Sequence, residues 1–113
     1  METTVRTIRQ GDLLFIPQHE VAEHVLEYAK TAARKNGVIA EGEATGHHHR
    51  VATLEDAQVF QAYNDVYVRV GPNGVSIVHE EHGPVKLAPE TIYKVNRARE
   101  FDYLAANTRF VAD

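Results

Sequence analysis

After Gly37 the chain alternates apolar and polar residues with a period of two almost to its end, and this limits it to a β-rich fold. Successive side chains on a strand point to opposite faces, so the alternation builds sheets with one buried side. Residues 38–45, 47–52, 59–63, 66–70, 75–79, 85–87 and 92–101 read as strands. The breaks carry turn chemistry: Gly71-Pro72-Asn73-Gly74, Gly83-Pro84 and Ala88-Pro89-Glu90. The first of them predicts a hairpin between its flanking strands. Ahead of Gly37, residues 5–9 alternate, Gly11-Asp12 signals a turn, and residues 13–16 form an apolar run closed by Pro17.

One segment keeps helical spacing. Val21, Val25, Tyr28, Ala29 and Ala32 share a face, which predicts one helix within residues 19–35. Asn36-Gly37 would stop it, while neither Gln18 nor His19 is a favoured cap at its start. The expected architecture is a single mainly β domain over residues 1–113, a small antiparallel β-barrel or sandwich.

Charge and composition narrow the function. The net charge of -4 argues against nucleic acid, whose binders present a basic patch or stripe. No run approaches the ~18 apolar residues of a membrane span. The polar opening Met1-Glu2-Thr3-Thr4 does not read as a signal peptide. With no cysteine, thiolate sites and disulfides are excluded, and the expected location is the cytoplasm.

The remaining signal is histidine. Gly46-His47-His48-His49-Arg50 and His79-Glu80-Glu81-His82-Gly83 hold five of the seven histidines. On strands, His47 and His49 share a face with Val51, and His79 and Glu81 share a face with Ile77. If those apolar residues mark the interior, His47, His49 and His79 converge there. Three neutral imidazoles and an open position suit a divalent ion: zinc, iron, nickel or manganese. His82 joins if Gly83 bends the chain, and Glu81 is the candidate catalytic base or further ligand. His48 faces the other way. His19 and His24 fall in the helical segment, where a surface position is expected. The pattern His79-Glu80-Glu81-His82 is not the helical His-Glu-x-x-His of the zincins. Among the other carboxylates near the clusters, Glu41, Glu43, Glu55 and Glu80, most read as solvated.

Three segments carry a resemblance: residues 42–51 (GEATGHHHRV), 79–87 (HEEHGPVKL) and 93–101 (YKVNRAREF). Together they look like a family of small, functionally uncharacterised bacterial and phage proteins, a resemblance that assigns no activity. A broader resemblance is to the cupins, metal-binding β-barrels. His47-x-His49 followed by Glu55 is similar to the first cupin motif, and Gly83-x5-Pro89 to the start of the second. Thr91 and Lys94 stand where that second motif has glycine and its metal-binding histidine, so the resemblance implies a different metal geometry.

Two functions follow as expectations. One is a metalloenzyme acting on a small polar substrate, with Glu81 as base. The other is a non-enzymatic protein, a metal or ligand sensor or a phage-type assembly protein, whose histidines stabilise subunit contacts. A homo-oligomer, dimer or trimer, is expected, built partly through the apolar residues of the C-terminal tail.

Overall fold

The computed structural model describes residues 5–41 and 47–97. Its order is β1 (Ile8–Gln10), β2 (Leu13–Gln18), α1 (Glu23–Thr31), β3 (Val38–Glu41), β4 (His48–Val51), β5 (Ala57–Ala62), β6 (Asp65–Val70), β7 (Val75–Val78), β8 (Val85–Leu87) and β9 (Ile92–Arg97). The strands form two antiparallel sheets, ordered β1-β2-β9-β6-β5 and β3-β4-β7-β8. The expected mainly β architecture is therefore present, and among the described residues neither sheet closes into a barrel.

Alternation explains how the sheets meet. Leu13 and Phe15 of β2, Val68 and Val70 of β6 and Tyr93 of β9 share one core with Ile39, Val51, Ile77 and Leu87 of the second sheet. β5 is covered on both faces. Ala57 and Val59 enter the core between the sheets, while Phe60 and Ala62 pack outward under Val25 and Ala29 of α1.

The helix is shorter than residues 19–35. It begins after Ala22, whose side chain makes no cap, and it ends at Ala32. Beyond it the chain is captured by sheet pairing: Ala33 bridges Phe60, and the Arg34 N–H donates to the Val59 carbonyl at 2.6 Å. Helical periodicity continues through Ala32, but the open edge of β5 supplies better partners for the next two residues. The bridge pairs part of an edge that would otherwise be exposed, while the helix covers the adjoining face.

Pro17 lies inside β2 instead of ending it. β1 pairs with β2 only as far as Phe15, so no partner on that side needs an N–H at Pro17. The hairpin predicted at Gly71-Pro72-Asn73-Gly74 is not formed. β6 and β7 belong to different sheets, and the segment turns the corner between them. The Gly71 N–H donates to the Asp56 carbonyl, and the Gly71 carbonyl accepts from Glu90, which anchors this corner to two other connections. The two-residue hairpin turns are instead Gly11-Asp12, closed by Gln10 and Leu13, and Tyr63-Asn64, closed by Ala62 and Asp65. Tyr63 adopts φ +58°, a conformation for which its residue type gives no sequence signal. The predicted continuations of β3 to residue 45 and of β9 to residue 101, and the tail expected to join subunits, extend outside the described residues. Among the described residues no helix is long and apolar enough to cross a membrane.

Candidate functional site

The two histidine clusters meet because of strand register. β4 and β7 pair antiparallel with Arg50 opposite Val78 and Val51 opposite Ile77. The ladder stops at Val78, but its register carries on: His49 stands beside His79, His48 beside Glu80 and His47 beside Glu81. The side chains follow. The His49 and His79 rings lie 4.3 Å apart between centroids. Glu80 accepts the His48 backbone N–H at 2.9 Å, and His47 Nδ1 is 3.2 Å from Glu81 Oε1. His82, in the loop after β7, has its ring 4.8 Å from that of His79, and His47 is 5.7 Å from His79. The structure thus brings His47, His49, His79 and His82 together, with His79 central.

His49 is the buried member, 2% exposed. Its surroundings include two residues that sequence reasoning missed, Gln10 and Asp12. Both come from the β1–β2 turn of the opposite sheet. The Gln10 amide donates to the carbonyls of Ile77 and Gly83 at 2.9 and 3.0 Å. Those two acceptors fix the amide orientation, so Gln10 Oε1 faces His49 Nδ1 at 2.9 Å and must accept from it. The proton of neutral His49 therefore sits on Nδ1. Its Nε2 is aimed at Asp12 Oδ1, 3.3 Å away. Asp12 Oδ2 in turn accepts from Arg97 Nη1 at 2.8 Å.

Burial, reinforced by the neighbouring His79, pushes the His49 pKa below the usual histidine value despite the opposing pull of Asp12. Partial burial pushes the Asp12 carboxyl upward, but Arg97, a backbone N–H and His49 together hold it below its usual range. When His49 is neutral, with its proton on Nδ1, its Nε2 lone pair faces an Asp12 carboxylate oxygen.

His79 is differently disposed. Its Nδ1 accepts the backbone N–H groups of Glu81 and His82 at 3.1 and 3.3 Å. Neutral His79 therefore carries its proton on Nε2 and acts as a donor in this arrangement. The His82 ring lies over Gly11, where a Cβ would stand 2.6 Å from its Cδ2 and Nε2. Gly11 also has φ +58°, so both backbone conformation and close approach require glycine here. On the outer face, the His48 N–H holds the Glu80 carboxyl below its usual range.

Among the described residues no three His, Asp or Glu side chains stand ready, as placed, to hold a metal ion. Two imidazole nitrogens stand close to a carboxylate oxygen in the cluster, His49 Nε2 at 3.3 Å from Asp12 Oδ1 and His47 Nδ1 at 3.2 Å from Glu81 Oε1, and of the two only the His49 imidazole is buried. Other candidates are not gathered in. Glu55 lies in the β4–β5 connection and lines a surface hollow with Arg69 and Glu90, and Lys94 pairs with Asp65. The cupin-like ligand set that includes Glu55 is therefore not assembled. Glu43 lies outside the described residues. His19 is exposed, and His24, also exposed, packs edge-on against Tyr63. Gln10 and Asp12 had no sequence signal beyond flanking a turn glycine, because only the stacking of the two sheets lays that turn over β4.

No curated protein and no solved structure is matched by this chain. A family model does match, over residues 9–98, a span that contains every residue of the imidazole cluster and its supports, and the chain belongs to that family, described as "Domain of unknown function (DUF8820)".

Proposed function

We infer that this protein binds a divalent transition metal at the imidazole cluster, with His49 and Asp12 as the nucleus of the site. One observation carries the reading. Gln10 forces the His49 proton onto Nδ1, which leaves Nε2 and the Asp12 carboxylate facing each other 3.3 Å apart. A cation between them turns that repulsion into two bonds. Two donors each ~2.1 Å from one tetrahedral ion stand ~3.4 Å from each other. A metal-bound histidine commonly donates its other ring N–H to an oxygen, the role that Gln10 Oε1 has here. His47 and His82, with rings 5.7 and 4.8 Å from that of His79, are the further ligands in this reading and would have to turn toward the ion. His79 joins only by giving up the two loop N–H groups that it accepts. Zinc, iron, nickel and manganese all suit such donors.

Glu81 favours a catalytic form of this reading. Its carboxylate beside His47 makes an oriented acid–base pair at the edge of the site, suited to proton transfer on a small polar substrate. The alternative is a sensing or structural site that supports contacts in a homo-oligomer, with the His48 imidazole, 3.9 Å from Glu80, on the outer face. An open, water-bearing coordination position separates the first from the second.

The test is elemental analysis of protein purified without a nickel column, followed by calorimetric titration with zinc. His49→Ala should abolish binding and His48→Ala should preserve it. Affinity should fall as the pH drops through the histidine range, because the ligands must be neutral. Equal affinity in wild type and His49→Ala would falsify the site.

A further inference from the structure

A second feature lies between the sheets, on the far side of Arg97 from the histidines. Here the edge strand β3 stands away from β2, β6 and β9 and leaves a cleft of about 690 Å³. That is within the ~300–1,000 Å³ of small-molecule sites. Its walls divide by chemistry. Leu13, Ile39, Val66 and Val95 supply an apolar floor. Arg34, Lys35 and Arg97 supply three cationic groups, and among the described residues no acidic side chain lines the cleft.

One of these charges, Arg34, is held in place by uncharged partners. Arg34 Nη1 donates to the carbonyls of Val38 and Ile39, both at 3.0 Å, and Nη2 to Gln61 Oε1 at 3.3 Å. All three are uncharged oxygens, so they fix the guanidinium without neutralising it. The Arg34 backbone is pinned to β5 by its N–H to Val59. Lys35 follows directly and is exposed. Among the described residues, Arg97 is the one of the three with a carboxylate partner, Asp12. A cationic rim over an apolar floor complements one kind of ligand.

We propose that this cleft binds an amphipathic anion: a medium-length apolar chain on Leu13, Ile39, Val66 and Val95, with its acidic head at Arg34 and Lys35. Charge-assisted hydrogen bonds to the head fix orientation, and burial of the chain supplies most of the affinity. The cleft adjoins the imidazole cluster. Ala40, in its wall, pairs with His49 across β3 and β4, and residues directly opposite on paired strands point to the same side. The proposal does not depend on a metal and is tested without one.

The experiment is an NMR titration of the full chain in EDTA with decanoate below its micellar concentration. Decanol and decylammonium serve as uncharged and cationic controls. Decanoate should bind saturably, with shifts centred on Leu13, Ile39, Val66 and Val95. Decanol should bind at least about tenfold more weakly, a loss of roughly 1.4 kcal/mol. Decyl phosphate should bind like decanoate, since the head chemistry is shared. Lys35→Glu, a change at an exposed position, should weaken decanoate severalfold, and Val66→Trp should fill the cleft and abolish binding in a protein whose remaining spectrum is unchanged. Equal affinity for decanoate and decanol, or for wild type and Lys35→Glu, overturns the proposal. So does the absence of saturable shifts. Nuclear Overhauser contacts between the cleft floor and residues 98–113 in the ligand-free chain also overturn it, by identifying the chain's own tail as the occupant.

Discussion

Two regions border the main core, and they are built on opposite principles. Under α1, Phe60 and Ala62 meet Val25 and Ala29 in a wholly apolar contact. At the β1–β2 turn the contact is polar, with Gln10 and His49 buried and Asp12 half-exposed. The apolar region is non-directional, and any well-fitting hydrocarbon serves it. The polar region is directional: each donor must find its acceptor, and one proton position dictates the next. Of the two, the second holds an unmet interaction when His49 is neutral, a lone pair facing a carboxylate, which a cation would satisfy.

The largest expected effect breaks the apolar side. Phe60 is fully buried, and Phe60→Ala should cost about 3–5 kcal/mol in denaturant unfolding. It should leave zinc affinity in the folded fraction unchanged. A proportionate loss of zinc affinity would show the two regions to be coupled.

Gln10→Leu strikes the polar side. It orphans the carbonyls of Ile77 and Gly83 and the Nδ1–H of His49, and should cost about 1–3 kcal/mol. Because the proton on His49 is then free to move to Nε2, zinc affinity should also fall by about 10–100-fold, the usual effect of losing such a support. Retained affinity would remove the tautomer argument. Gly11→Ala comes next. A Cβ would meet the His82 ring at 2.6 Å, at a backbone φ of +58°. The left-handed conformation alone costs a non-glycine residue about 1–2 kcal/mol. Displacement of His82 should show directly in its imidazole NMR signals.

The same contrast explains what could be read from the residues. The apolar alternation revealed the strands, since burial repeats along the chain with the period of the structure that causes it. It also put His47 and His49 on the face of Val51. It did not reveal that Gly71-Pro72-Asn73-Gly74 turns a corner between sheets. A turn motif reports local backbone preference, whereas the partners of this segment, the Asp56 carbonyl and the Glu90 N–H, lie far from it in sequence. Gln10 and Asp12 were hidden for a related reason. Their importance comes from contact across the two sheets, 39 residues away in the case of Gln10 and His49, and a polar residue beside a turn normally signifies only solvent exposure.

The smallest effect is the most discriminating, because it asks which protonation state the polar region prefers. Burial and His79 lower the His49 pKa, while Asp12 raises it, and the lowering prevails. On acidification through the usual histidine value of 6.5, the unfolded chain then takes up a proton that the folded chain refuses. Stability should be intact above that value and decline below it, until the folded His49 also titrates. Asp12 and Glu80, both lowered, act in the same direction but later. Their contributions are present above the ordinary carboxylate values of 3.8 and 4.5 and are lost as the pH falls through their folded pKa values. Thermal melts in EDTA should therefore show two declines on acidification. His49→Asn keeps a donor toward Gln10 but cannot ionise, so it should remove the upper decline and leave the lower. If stability instead rises as the pH falls from 7 to 5.5, Asp12 has prevailed over burial. His49 is then an imidazolium bonded to Asp12, the facing lone pairs do not exist, and the main support for a metal there is gone.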